Sequence, residues 1–312
     1  MKEPEISIVI PAYNEQRNVS ILYKEIVKVM NHLKKSYEII FIDDNSTDRT
    51  LENLLSIKKK DSNVKIIKFG RNFGQTAAWD AGFKNSSGKL VITMDADLQN
   101  NPKDIPKLLK KLEQGYDVIS GWRYNRKDKF FKRLFSKFSR LLRRKIIKDK
   151  IHDSGCSLKV YKRKCIKDLD LHGEMHRYIT ELLSLRGYKI GEVKVSHRSR
   201  KYEKTKYNII RLPKGFLDLL VVAFWQKYSA RPIHLFGGFG LLTTLLGFLT
   251  GLYLLYVKFV NNVGISDRPL LLLAILLVIV GIQFIIFGLV ADILAKLYYS
   301  KDKTYYTIEK IY

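Results

Sequence analysis

Two cysteines in 312 residues, Cys156 and Cys165, are too few for a disulfide framework, and they show no zinc-ligand spacing. Both are expected to be ordinary buried thiols in a reducing compartment. Acidic residues are also in short supply. Thirty Asp and Glu face 56 Lys and Arg, a formal net charge of +26. That balance argues against cationic partners and for anionic ones: nucleic acid, anionic lipid or phosphorylated substrates. The N-terminus lacks a signal-peptide core, because Met1–Glu5 is polar and the apolar run Ile6–Ile10 is too short. The N-terminal region is therefore expected on the cytoplasmic side. No G-x-G-x-x-G follows that first run, which argues against a nicotinamide-dependent oxidoreductase. No Ser–His–Asp or Cys–His set is evident, which fits a reaction that needs no strong general base.

The first two-thirds of the chain alternates short apolar runs with amphipathic stretches. Ile6–Ile10, Glu38–Ile42, Val64–Phe69, Leu90–Met94 and Asp117–Ser120 read as strands. Between them, Val19, Leu22, Tyr23, Ile26, Met30 and Leu33 keep helical spacing. Ser46 is a candidate cap for a second helix with Leu51, Leu54 and Leu55 inside, Gln75–Phe83 reads as a third helix, and Pro102 opens a fourth. Strands alternating with helices over short connections predict a mostly parallel sheet covered on both faces. In such sheets ligands bind beyond the C-terminal strand ends. Asp43, Asp44, Asp95 and Asp97 all fall at such ends.

Charge is missing altogether from two long stretches, Leu235–Val257 and Pro269–Ala291. Each has the ~20 apolar residues needed to cross a bilayer. The linker 258–268 is less basic than the outer flanks, which carry Lys227 and Arg231 on one side and Lys296, Lys301, Lys303 and Lys310 on the other. The positive-inside rule then places both termini in the cytoplasm. Two amphipathic candidates precede the spans: 123–150, where Arg and Lys interleave with Phe and Leu, and 208–228, which ends in Trp225 and Tyr228. A basic amphipathic helix reads as a membrane-surface element. Nucleic acid is not an expected partner, since no recognition motif accompanies the charge. Gly247 and Gly251 form a small-xxx-small pair that suits helix contacts or homo-oligomerisation.

The sharpest chemical signal is Asp95-Ala96-Asp97-Leu98-Gln99. Two carboxylates two residues apart after a buried strand, with an amide oxygen beyond, can approach one hard cation such as Mg2+ or Mn2+. A cation there could neutralise a diphosphate leaving group. Acids used for turns and helix capping are the plainer reading of this stretch taken alone.

Pro11-Ala12-Tyr13-Asn14-Glu15, Asp43–Asp48, Arg71–Gln75 and Asp95–Gln99 occur in the order and context of family 2 glycosyltransferases with the GT-A fold. Asp153–Leu158 and Glu174–Tyr178 are similar to the polyisoprenyl-phosphate branch of that family, and with the two spans the resemblance covers nearly the whole chain. It implies a Rossmann-like α/β catalytic domain over 1–207, an amphipathic juxtamembrane helix over 208–230, a two-span region over 231–298 and a cytoplasmic tail over 299–312. It implies that Pro11, Tyr13, Asn14, Glu15, Asp43, Asp44 and Gln75 hold the nucleotide-sugar donor, and that Asp95, Asp97 and Gln99 hold the metal. Arg123 resembles an arginine near the phosphates, and His197–Arg200 with Thr205–Tyr207 resembles a phosphate-binding run. Arg123, Arg200 and Lys206 are thus candidates for the acceptor phosphate, where a guanidinium fork has the advantage of two parallel hydrogen bonds.

The expected reaction is inverting transfer of a sugar, from a UDP-hexose, to undecaprenyl or a related polyisoprenyl phosphate in the inner membrane. A lipid phosphate is already anionic, so no strong general base is required. A processive polysaccharide synthase would carry a Gln-x-x-Arg-Trp motif, which the sequence lacks. A non-catalytic basic membrane protein would have no use for an intact Asp95, Asp97 and Gln99.

Overall fold

The computed structural model describes residues 3–124, 151–171, 175–198, 224, 228, 231–261, 264 and 269–299. The chain divides into two compact units, Met1–Leu220 and Val221–Tyr312.

In the first unit, β1 (Ile6–Ala12), β2 (Tyr37–Asp43), β3 (Val64–Lys68), β4 (Leu90–Thr93), β5 (Val118–Arg123), β6 (Lys159–Lys162) and β7 (Ile190–Val195) form one seven-stranded sheet. Its order is β3-β2-β1-β4-β6-β5-β7. β1 lies parallel to β2 and β4, β2 to β3, and β5 to β7, while β6 runs antiparallel between β4 and β5. The five expected strands are present. β6 and β7 extend the sheet, and β6 carries the chain back past the strand that precedes Asp95.

The central strands are buried because both faces are covered. Ile6, Ile8 and Ile10 enter one apolar cluster, and Val9 enters the other with Ile40 and Ile42. That double burial explains why these strands read as unbroken apolar runs instead of alternating ones. The first cluster packs against α1 (Val19–Leu33) through Leu22, Ile26 and Met30. The second packs against α3 (Gln75–Lys84) through Ala78, Trp79 and Phe83. In α2 (Thr50–Lys60) the inner face is Leu54 and Ile57, whereas Leu55 is exposed. Ser46 does not cap this helix. Its hydroxyl accepts the Asn14 N–H at 3.0 Å, and Asp48 accepts the Thr50 N–H at 2.9 Å. A 3-10 turn at Pro102–Asp104 leads into α4 (Ile105–Leu112). Beyond β6 follow α5 (Arg163–Ile166), a 3-10 turn at Met175–Arg177 and α6 (Ile179–Leu185). Cys156 and Cys165 are both free and buried, as expected.

The second unit is an antiparallel pair, α7 (Ile233–Phe259) and α8 (Pro269–Tyr299). At 1.5 Å per residue, the 27 residues of α7 extend about 40 Å, more than the ~30 Å hydrocarbon core. Leu241, Leu245, Phe248, Leu272, Leu276 and Phe287 lie exposed around the pair. A soluble core helix would bury such residues, whereas a span presents them to lipid. The two helices are the candidate membrane spans. They approach each other at Gly240, Gly247, Gly281 and Gly288. A Cβ at Gly240 would lie 2.6 Å from the Gly281 carbonyl, and one at Gly247 2.8 Å from the Ala274 carbonyl. Gly251 has nothing within 4 Å. The small-residue seam therefore repeats every seven residues and takes in only Gly247 of the Gly247–Gly251 pair.

Candidate active site

The site is built at the C-terminal ends of β1, β2 and β4, where the chain leaves the sheet in three interlocked loops. The residues after β1 are tied to those after β2. Besides Asn14 N–H on Ser46, the Asn14 side chain accepts Thr47 N–H at 2.7 Å, and Thr50 Oγ1 accepts Glu15 N–H at 2.8 Å. Asn14 and Asn45 hold φ values of 55° and 59°, a left-handed backbone that asparagine tolerates better than most residues. The Pro11–Glu15 segment is thus tied to the loop that follows Asp43 and Asp44.

Asp43 is fully buried, and among the described residues its Oδ2 has no hydrogen-bond partner. Its Oδ1 accepts Ser46 N–H at 3.2 Å. A buried carboxylate oxygen with no donor is costly, and a ligand N–H or hydroxyl would relieve that cost. Asp44 is different. Its two oxygens accept the N–H groups of Phe73 and Gly74 at 2.7 and 2.9 Å, so it pins the loop that starts α3. Burial raises its pKa above the usual carboxylate value, and those two hydrogen bonds oppose the shift.

From that pinned start, Gln75 Nε2 donates to Asp95 Oδ1 at 2.6 Å. Thr76 Oγ1 lies 2.6 Å from His176 Nδ1, and the His176 ring meets Trp79 edge-on. α3 therefore joins the loops after β1 and β2 to the Asp95 loop, and Gln75 touches Asp95 directly. Asp97 is 7% exposed, and its Oδ1 accepts Gln99 N–H at 3.1 Å. Leu98, between Asp97 and Gln99, has φ 62°. A left-handed leucine persists only where its surroundings enforce it. Two carboxylates and one amide oxygen are hard donors that suit Mg2+ or Mn2+. Among the described residues no group of three His, Cys, Asp or Glu assembles a self-contained metal site.

Arg123, at the end of β5, faces Asp153. Nε and Nη2 donate to the two carboxylate oxygens at 2.7 and 2.8 Å, and the Arg123 N–H adds a third bond at 3.2 Å. Burial works against the guanidinium's charge, but Asp153 outweighs it and the pKa is raised; the Asp95 charge adds in the same sense. Arg123 is thus within the electrostatic reach of Asp95. Asp153 is itself placed by Glu192 on β7, which accepts the N–H groups of His152 and Asp153 at 2.8 and 3.1 Å. The rest of the 153–158 loop is equally fixed. The fully buried Lys159 donates to the Ser154 carbonyl at 2.9 Å, Thr93 to the Ser157 carbonyl at 2.7 Å, and Asn100 Nδ2 to Ser157 Oγ at 2.6 Å. Burial lowers the Lys159 pKa and pushes the Cys156 thiol up to about 11.

Residues 7–170 match the profile of glycosyl transferase family 2. The chain belongs to this family. It is 40% identical over 303 residues to dodecaprenyl-phosphate galacturonate synthase of Rhizobium johnstonii, covering 96% of this chain and 90% of that one. It is 31% identical over 310 residues to undecaprenyl-phosphate 4-deoxy-4-formamido-L-arabinose transferase of Photorhabdus laumondii, covering 98% and 94%. Glucosyl-3-phosphoglycerate synthase of Mycobacterium tuberculosis, solved with Mn2+ and UDP-glucose, superposes with a TM-score of 0.54 at 16% identity, over 72% of this chain and 79% of that one. That likeness is one of fold, and it identifies the sheet as the GT-A architecture. Membership makes the chain a glycosyltransferase.

The structure places Pro11, Tyr13, Asn14, Glu15, Asp43, Asp44, Gln75, Asp95, Asp97 and Gln99 at or beyond the ends of β1, β2 and β4, with Arg123 at the end of β5. Arg200 and Lys206 lie outside the described residues, as do 125–150 and most of 208–230. Spacing alone did not reveal the Asp153 and Glu192 support of Arg123, nor His176 and Arg198. Asp153, His176 and Arg198 did stand inside motifs the resemblance had marked.

Proposed function

We propose that this glycosyltransferase moves a sugar from a nucleotide-sugar to a polyisoprenyl phosphate, yielding a lipid-linked monosaccharide for cell-envelope glycans. The observation that carries the proposal is 40% identity, over 96% of the chain and hence through the apolar helices, with an enzyme named for a dodecaprenyl phosphate product. The aminoarabinose relatives, at 31–32%, carry undecaprenyl phosphate in their names.

In this reading the loops after β1 and β2 receive the nucleoside, with Asp43 Oδ2, which has no partner among the described residues, accepting from the base or ribose. UDP is the favoured carrier, with a hexose attached. Asp44 acts on the site indirectly by holding 73–74. Asp95, Asp97 and Gln99 would hold Mg2+ or Mn2+. The ion would supply positive charge to the diphosphate as it leaves. Arg123, oriented by Asp153, stands near Asp95 to offset the charge of two phosphate groups brought together. A lipid phosphate oxygen attacks C1, the C1–oxygen bond to the nucleoside diphosphate breaks, and the configuration inverts. No proton need be removed from the nucleophile.

The two spans anchor the enzyme in the inner membrane, with the catalytic unit and both termini in the cytoplasm. The lipid phosphate sits at the headgroup surface, and Arg200 and Lys206 join Arg123 as its proposed contacts. Carbon-13 NMR of the product tests the stereochemistry. An α-linked donor should give a β-linked lipid phosphate, and a retained configuration would refute the displacement. A panel of UDP- and GDP-sugars against undecaprenyl phosphate identifies the donor.

A further inference from the structure

We infer that Arg198 is a positioning residue that holds the metal-binding loop in place, and is not a contact for the acceptor phosphate. The inference rests on the proposed metal role of Asp95, Asp97 and Gln99, and it concerns how that loop keeps its shape.

After β7 the chain does not leave the catalytic unit at once. Ser196 N–H and Oγ donate to the buried Asp104 Oδ2 at 2.9 and 2.5 Å. His197 pairs with Asn100 as an antiparallel bridge, and Arg198 N–H donates to the Gln99 carbonyl at 3.0 Å. Residues 196–198 therefore run beside 99–101 like a short strand laid on the loop's outer edge. The Arg198 side chain extends the hold. Nη2 donates to Asn101 Oδ1 at 2.6 Å, and Nη1 to both oxygens of Glu25 at 2.9 and 2.8 Å. Glu25 belongs to α1, which is anchored in the core by the flanking Leu22 and Ile26. One guanidinium thus bridges a rigid helix and the loop.

The loop requires such support. Leu98 carries a left-handed backbone between Asp97 and Gln99, a conformation that a leucine abandons unless neighbouring contacts enforce it. Among the ties around it are Gln99 N–H to Asp97, Asn100 to Ser157, and the two from Arg198 to Gln99 and Asn101. Those from Arg198 hold the residue proposed as a ligand and the second residue beyond it. Its charge, moreover, is already met by Glu25, so Arg198 is poorly placed to serve as a free cation for a lipid phosphate. A basic residue in a run rich in Lys and Arg reads as an anion contact from sequence. Geometry gives it a different task.

The test uses the full chain in detergent. Mn2+ binding in the presence of UDP is followed by the EPR signal of free Mn2+, beside steady-state kinetics with undecaprenyl phosphate. Arg198→Ala should weaken Mn2+ binding about ten-fold, the scale at which groups that orient ligands act. The acceptor KM should stay at the wild-type value. Arg198→Lys should rescue poorly, since one ammonium cannot reach both Glu25 and Asn101 in that geometry. Glu25→Gln should shift Mn2+ binding in the same direction by less. It is the discriminating variant, because an acidic residue has no role as a phosphate ligand, and it keeps the test decisive if Arg198→Ala does not fold. Wild-type Mn2+ affinity in both Glu25→Gln and Arg198→Lys, or a raised acceptor KM with unchanged Mn2+ affinity in Arg198→Ala, would overturn the inference. A wild-type protein that binds no Mn2+ with UDP present would instead refute the metal role of Asp95–Gln99, and this inference would fall with it.

Discussion

Arg123 and Asp153, thirty residues apart in sequence, face each other fork to carboxylate at 2.7 and 2.8 Å, with side chains only 13% and 9% exposed. Largely buried pairs of this kind leave an uncompensated charge when one member is removed. Arg123→Ala and Asp153→Ala should each destabilise the catalytic unit by about 3 kcal/mol, and the double variant by clearly less than the sum. Denaturant unfolding of the four proteins checks this. Full additivity would mean the two groups do not act together.

The same pair makes an activity prediction. Arg123→Lys keeps the charge but loses the fork. It should lower kcat/KM about ten-fold or more, because lysine cannot satisfy Asp153 bidentately and still present an oriented donor. Asp153→Asn should lower kcat/KM in parallel, since Arg123 loses its guide. Wild-type kinetics in Asp153→Asn would show that Arg123 needs no guide.

Asp104 yields a pH prediction. Burial alone would raise its pKa, but the hydrogen bonds from Lys107 and Ser196, with the Lys107 charge, more than offset burial and hold it below the ordinary carboxylate value. A carboxyl whose folded pKa lies below its unfolded one stabilises the fold above the unfolded pKa. That contribution is lost as pH falls from about 4 through the folded pKa. Asp104→Asn should therefore reduce Tm at pH 7 and flatten the decline of Tm below about pH 4. An unchanged acid profile would remove Asp104 from the account.

The paired helices supply a contrast. A Cβ at Gly281 would stand 2.6 Å from Thr244 N, whereas one at Gly251 meets nothing within 4 Å. Gly281→Ala should therefore lower thermal stability in detergent, and Gly251→Ala should not. Equal effects at both positions would contradict the packing of α7 on α8.

Topology has its own check. Cys156 and Cys165 are 1% exposed, and burial pushes the Cys165 thiol up to about 12, so background thiol labelling should be low. Asn262→Cys should react with an impermeant maleimide in intact cells, and Lys303→Cys should not. Labelling of the tail alone would invert the proposed orientation.

Much of this was legible in the sequence because burial on both faces writes strands as apolar runs, and strand ends then locate Asp43, Asp95 and Asp97. The candidate spans were legible because each runs for more than twenty residues without a charge. What was not legible is tertiary pairing. Nothing in the spacing of Arg198 announces Glu25, 173 residues earlier, and Asp153 returns to Arg123 only because β6 runs antiparallel beside β5. β6 itself, Lys-Val-Tyr-Lys, is short and flanked by charge, so it gave no strand signal. Helical phase failed at Leu55, since Leu54 and Ile57 define the buried stripe and Leu55 lies one residue outside it.

The most direct measurement is transfer itself. Detergent-solubilised wild-type and Asp97→Asn proteins would be given a radiolabelled UDP-sugar, undecaprenyl phosphate and Mn2+, and label entering the organic phase would be counted. Wild type should form a lipid product that requires the polyprenyl phosphate and disappears with chelator. Asp97→Asn should fold normally but transfer at least 10–100-fold more slowly, as expected when a metal ligand is lost. Equal rates for the two proteins with Mn2+ still required would contradict the metal assignment. Absence of lipid-borne label from wild type across the full panel of UDP- and GDP-sugars would contradict the proposed acceptor.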